Sequence, residues 1–227
     1  MQRKFTLIEL MVLLAIIALL MSILYPSLTK AREQSRRALC KSNLNQLSQV
    51  FYLYAGMNND SISMGTINHS YQASYMFNAS PNGSTLSYYP YFKEDLFGAP
   101  EIWYCPSNIS EFFEYNGPAN TWPPLNGKTK TRAAFNSRAR INGAEENAFP
   151  SIHKLENQSL LTDIISRRGL YDQHHKAGSN VLFLDGSSSW AELGLIEDLL
   201  NTMTRYHSSS SNSNFMKMYF KFDELRK

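Results

Sequence analysis

The sequence predicts an α+β fold in which one long N-terminal helix, membrane-spanning in its first half, packs on an antiparallel β-sheet with long loops. Three observations predict it. Phe5 to Leu24 is an almost unbroken apolar run. Apolar residues at helical spacing continue from Cys40 to Tyr54, and "VLFLDGSSSW" late in the chain reads as a strand, a tight turn and a return strand.

The apolar run comes first. At about 1.5 Å per residue, a helix of about 20 residues covers the roughly 30 Å hydrocarbon layer of a bilayer. A secretory signal has a shorter apolar region followed by a small-residue cleavage site, whereas "LYPSLTKAREQ" follows here. A retained anchor over residues 5–25 is therefore expected.

Glu9 lies inside that run. An acid at the centre of a spanning helix costs about 2.5 to 3.5 kcal/mol, relieved when it lies near the helix end, as Glu9 does. Two readings account for it: a carboxylate reaching the headgroups, or one awaiting a cationic partner within the membrane. Arg3 and Lys4 end a short basic leader just before Phe5, and cutting there would create such a cation.

The basic leader, "FTLIEL", the long apolar helix and Pro26 together resemble the N-terminus of type IV prepilins and type II secretion pseudopilins, over Phe5 to roughly Tyr54. The resemblance implies a pilin-like fold. It also implies that a prepilin peptidase removes leader residues 1–4 by cutting between Lys4 and Phe5 and methylates the new Phe5 amine. Glu9 then falls at the family's acidic position, which contacts a neighbouring subunit's amine. The family usually carries Gly immediately before the cut, and this chain carries Lys4.

The 227 residues, less the anchor, suffice for one soluble domain with a core of its own. A net charge of +3 gives little support for nucleic acid as a partner. The basic segment "KAREQSRRALCK" just past the anchor would by the positive-inside rule face the cytoplasm. Arg3, Lys4 and the starting amine favour a cytoplasmic N-terminus, and large domains translocate regardless of nearby charge. The expected placement is thus a single pass through a bacterial inner membrane, with the domain from residue 57 onward outside and a surface filament as a further destination. Cys40 and Cys105 are too few for a disulfide framework; an envelope location permits one bridge between them, and Cys40 equally fits a packing role.

Beyond Pro26, Cys40, Leu44, Leu47, Phe51 and Tyr54 step by four, three, four and three, one stripe of an amphipathic helix over 26–56. Pro26 removes one helical hydrogen bond and is expected to kink or locally open the helix. "GMNND" supplies the stop near Gly56. Residues 58–150 are rich in Asn, Ser, Gly, Pro and Tyr and read as loops and short strands. Tyr88, Tyr89, Tyr91, Trp103, Tyr104 and Trp122 make either a sugar-stacking platform or, more commonly for such residues, packing across irregular loops.

"HHKAGSNVLFLDGSSSW" holds a second signature. His175, nine intervening residues and Asp185-Gly186 resemble the H-x9-DG element found with prepilin-type N-termini in some bacterial envelope proteins. Val181 to Leu184 reads as a buried strand, Asp185-Gly186 as a two-residue turn with both residues at positive φ, and Ser187 to Ala191 as the return strand. A catalytic reading would pair His175 with Asp163, Asp172 or Asp185 and a serine, but no nucleophile elbow or H-E-x-x-H pattern is present. Metal binding through His174, His175 and nearby aspartates ranks above catalysis and below a structural role in which His175 hydrogen-bonds the turn. No metal or other cofactor, no small-molecule substrate and no enzymatic activity are expected.

Leu193, Ile196, Leu200 and Met203 place an apolar face on a short helix from about Glu192 to Arg205, and "HSSSSNSN" reads as a linker. "FMKMYFKFDEL" fits a strand or a late-docking helix. The expected function is that of a pilin or pseudopilin-like subunit, partnered by the membrane, the peptidase and like or related subunits in a filament. The alternative is an unpolymerised, membrane-tethered protein that binds a glycan, a metal or a protein.

Overall fold

The computed structural model describes residues 6–63, 75–77, 88, 91, 95–96, 98–122, 131–138, 151–155, 157–163, 175–202 and 217–226. The chain divides into two units, Met1–Arg36 and Arg37–Lys227.

Helix α1 runs over Leu7–Met57 as one element, ending one residue past the expected stop. It continues through Pro26. Proline deprives the Ser22 carbonyl of its usual donor, and two nearby hydroxyls bond back to the helix: Ser22 Oγ to the Leu19 carbonyl at 2.7 Å and Thr29 Oγ1 to the Tyr25 carbonyl at 3.0 Å. In the first unit the apolar side chains from Leu7 to Leu24 stand exposed, Ile17 least at 43% and Ile8 among the most at 72%. This stretch is long and apolar enough to cross a membrane.

In the second unit the predicted stripe is the core. Cys40, Leu44 and Leu47 are fully buried, with Phe51 and Tyr54 nearly so. They belong to one apolar cluster with Tyr88, Tyr91, Trp103, Phe135, Leu161 and Leu182.

The sheet is an antiparallel meander of β3 (Phe135–Ser137), β4 (Ser159–Asp163), β5 (Gly178–Phe183) and β6 (Ser188–Glu192), following a separate pair of β1 (Tyr75–Phe77) and β2 (Thr131–Arg132). β4 and β5 are buried at every position, which requires cover on both faces. Alternation supplies it. Leu182 and Leu184 join the α1 cluster, whereas Val181 and Phe183 join a second cluster with Ala191, Ile196, Leu200, Met218, Tyr219 and Phe222. The expected short helix appears as a 3-10 turn at Leu193–Leu195 and helix α2 (Glu197–Thr202); Met203 and Arg205 lie outside the described residues.

The C-terminal segment is helix α3, residues 217–223, not a strand. Met218, Tyr219 and Phe222 are fully buried, at a spacing that puts them on one helical face. Asp223 fixes the end of α3: its carboxylate accepts two bonds from Arg138 Nη1 at 2.9 Å, one from the Ser159 N–H at 2.8 Å and one from Ser159 Oγ at 2.6 Å. Tyr219 donates from its hydroxyl to the Asn136 carbonyl at 2.8 Å. α3 is therefore bound to β3 and β4 by polar bonds at its rim and by apolar contact at its centre.

The aromatic residues belong to the interior. Tyr88 and Tyr91 are fully buried, and their hydroxyls donate to the carbonyls of Phe135 at 2.8 Å and Ser63 at 3.0 Å. Tyr88 meets Trp103 edge-on at 4.8 Å, and Tyr91 meets Tyr54 at 4.7 Å. Trp103 and Tyr104 are likewise buried, so these four cannot offer a stacking face to a sugar. Trp122 is half-buried against the same cluster, and Tyr89 lies outside the described residues.

Candidate functional site

At the start of α1, Thr6 and Glu9 close on each other. Glu9 Oε2 accepts from the Thr6 N–H and hydroxyl, both at 2.8 Å, and the Glu9 N–H donates to Thr6 Oγ1 at 3.2 Å. This is a capping box, which satisfies orphan N–H groups at a helix start from side chains three apart. The T-x-x-E spacing was there to be read in the sequence. Glu9 therefore has a hydrogen-bond partner within its own chain. Lys4 and Phe5 lie outside the described residues.

His175 and Asp185 flank β5, whose six residues span roughly 20 Å of extended chain. They do not meet. Nine intervening residues are what one strand and its short approaches require, so the spacing measures a strand and does not bring two groups together.

At the far end of the hairpin the turn differs from expectation. Among the described residues Gly186 has φ of +80°, while Asp185 is not in the left-handed region. The Gly186 N–H donates to the Phe183 carbonyl at 3.1 Å and the Phe183 N–H to the Ser187 carbonyl at 2.9 Å. The loop therefore has three residues, Leu184 to Gly186, with glycine in the left-handed place, and the return strand starts at Ser188. Asp185 Oδ1 accepts from the Ser187 N–H at 3.0 Å, and Oδ2 pairs with Arg226 beyond α3. Burial pushes the Asp185 carboxyl up, but the Ser187 bonds and the Arg226 guanidinium outweigh it and hold it below the usual aspartate value. Tyr52 of α1 donates from its hydroxyl to the neighbouring Leu184 carbonyl at 2.6 Å. Gly186 itself sits close to α1, where a Cβ would lie 3.3 Å from Ser48 Oγ.

At the near end His175 is buried, 1% exposed, in a cluster assembled from four parts of the chain. Its Nε2 lies 3.4 Å from Cys105 Sγ, 3.3 Å from Asn180 Nδ2 and 3.7 Å from Asp163 Oδ2. Asn180 holds that carboxylate, donating from its backbone N–H at 2.6 Å and its amide at 3.1 Å. Cys105 is bonded to Cys40 of α1 in a disulfide. Of the three aspartates considered for His175, Asp163 is the one beside it; Asp185 is at the other end of β5, and Asp172 and His174 lie outside the described residues.

Trp190, last residue of the quoted signature, pairs in register with Asn180 and meets the His175 ring edge-on at 5.5 Å. The Arg37 guanidinium lies 3.8 Å from the centre of the same indole. Gly178 permits this approach: a Cβ there would overlap the Ala191 carbonyl and stand 2.5 Å from the Trp190 ring.

The cluster joins α1, the 98–122 loop, β4 and β5 around one imidazole. A nucleophilic role for Cys105 is blocked while its sulfur is bonded to Cys40, and the seryl partner imagined for His175 is not among its contacts just described. No family model matches the chain, and neither a curated protein nor a solved structure matches it.

Proposed function

We propose that the chain is a pilin or pseudopilin-like structural subunit, held in a bacterial inner membrane by the first half of α1 and assembled into a type IV pilus or type II secretion-type filament. The single observation carrying this reading is the division of labour along α1. Its second half is the core of the domain, whereas its first half presents bare apolar side chains on every side. Such a surface needs lipid or copies of itself. Copies related by a head-to-tail contact that does not close form a helical array, in which lipid and neighbouring helices are exchangeable surroundings for one rod.

Leader removal before Phe5 supplies the specificity in this reading. Both Thr6 bonds go to Glu9 Oε2, so Oε1 is the oxygen that a neighbouring Phe5 amine would meet. Where water is scarce that attraction is strengthened. The capping box lowers the cost of keeping the carboxylate in the bilayer until then.

N-terminal mass analysis of the chain from its native host, with imaging of surface fibres, tests the proposal. N-methyl-Phe5 at the terminus and fibres containing the chain are the expected results; an intact Met1 on a permanently monomeric protein overturns it. Lys4, in place of the family's glycine, favours the alternative of an unpolymerised tethered binding protein, which predicts that second outcome. Burial of Tyr88, Tyr91, Trp103 and Tyr104 weakens its glycan form.

A further inference from the structure

We propose that the chain carries a redox-gated metal site: once the Cys40–Cys105 bridge is reduced, Cys40, Cys105, Asp163 and His175 bind one zinc ion in tetrahedral geometry. The proposal stands apart from filament assembly and rests on the donor geometry alone. Sγ of both cysteines, a ring nitrogen of His175 and a carboxylate oxygen of Asp163 all lie within 4.8 Å of one another, and all four residues are buried.

Zinc with bonds of about 2.3 Å to sulfur and 2.0–2.2 Å to nitrogen and oxygen makes a tetrahedron whose edges are roughly 3.4–3.8 Å. Two edges already have that length: Cys105 Sγ to His175 Nε2 is 3.4 Å, and His175 Nε2 to Asp163 Oδ2 is 3.7 Å. The bonded sulfurs are too close for two ligands of one zinc and must part to near the S–S edge. Breaking the bridge is what allows it.

The chemistry balances with a dithiol as reductant. Two electrons pass from the dithiol to the Cys40–Cys105 bond, which breaks; the dithiol closes its own disulfide, and its two protons end on the cysteine sulfurs. Zinc then displaces both protons to solvent and binds two thiolates, the imidazole and the carboxylate. Asn180, with two bonds to Asp163, is positioned to orient that ligand from outside. Cys105 lines an open groove of about 450 Å³ whose walls include Glu101 and Glu114, the side from which a reductant and a cation would approach.

The test uses the full-length chain in detergent under anaerobic conditions. The bridge is reduced with a water-soluble phosphine, which takes its oxygen from water as the thiols form and competes little for metal. Cobalt(II) is titrated as a spectroscopic probe and then displaced by zinc. Reduced wild type is expected to bind one metal per chain, with thiolate-to-cobalt charge-transfer bands and the strong visible bands of a tetrahedral ion, while oxidised wild type and Cys40→Ser/Cys105→Ser show neither. Asn180→Ala, which keeps all four donors, should weaken binding about 10–100-fold. X-ray absorption of the zinc form should give a shell of two sulfurs and two lighter atoms. A sulfur-free shell, or binding by reduced wild type no tighter than by the oxidised chain or the double variant, overturns the proposal. So does a reduced chain that loses its near-ultraviolet dichroism and does not regain it with zinc.

Discussion

Thr6 and Glu9 form a closed hydrogen-bonded pair at the first turn of α1, so the one acid of the apolar run has a task within its own chain. Two demands on the same carboxylate can be separated by substitution. Glutamine completes a capping box as glutamate does but carries no charge, whereas alanine removes both.

Glu9→Gln is therefore expected to keep the helix start intact and still lower incorporation into fibres as far as Glu9→Ala does. Quantifying tagged variants in fibres sheared from cells co-expressing wild type decides it. Incorporation of Glu9→Gln at the wild-type level would leave capping as the whole role of Glu9.

Asp223→Ala should destabilise the domain by about 3 kcal/mol, the lower end of the cost of stranding a buried charge, because Arg138 is fully buried while Asp223 keeps some solvent contact. Replacing both partners, Arg138→Met with Asp223→Leu, should recover most of the loss. Urea unfolding followed by near-ultraviolet dichroism measures both; equal losses in single and double variants would refute the account.

Two glycines should fail for different reasons. Gly178→Ala drives a methyl group into the Ala191 carbonyl and the Trp190 ring, and should cost about 3 kcal/mol as overpacking. Gly186→Ala forces a side chain into the left-handed region at φ +80°, worth about 1–2 kcal/mol. Thermal melts in the order wild type, Gly186→Ala, Gly178→Ala are expected.

Asp185 sets a small acid dependence. Its folded carboxyl is held below the ordinary value, so its stabilisation is complete above the unfolded pKa and disappears as pH falls through the folded one. With side chains of Asp185 and Arg226 47% and 26% exposed, solvent limits the effect to under about 1 kcal/mol. The stability of Asp185→Asn should fall less steeply below about pH 4 than that of wild type; identical slopes would remove the Asp185 carboxyl from the acid dependence.

The stripe from Cys40 to Tyr54 was legible because a buried helix face repeats every three to four residues, and the hairpin because Asp-Gly punctuates it. The C-terminal segment was not, since Met218, Tyr219 and Phe222 suit a helix while the alternation around them suits a strand. What decides is the far side of the sheet, with Val181 and Phe183 needing cover and Arg138 needing an acid. The His175 cluster was hidden for a related reason. Zinc patterns are recognised from ligands close in sequence, whereas Cys40 and Cys105 are separated by 65 residues and meet where α1 packs against the 98–122 loop. The aromatic residues left two readings open, of which burial bears out packing for Tyr88, Tyr91, Trp103 and Tyr104, because a list of tyrosines does not say which hydroxyls find buried carbonyls.

Arg138 and Asp223 are 85 residues apart. During synthesis the guanidinium leaves the ribosome long before its counter-charge, so the nascent sheet holds a cation it cannot bury and an apolar flank it cannot hide. Completion of the domain waits until Asp223 has emerged. A message broken shortly before the codon for Asp223 would accordingly yield a polypeptide open to proteases, however complete its first 200 residues.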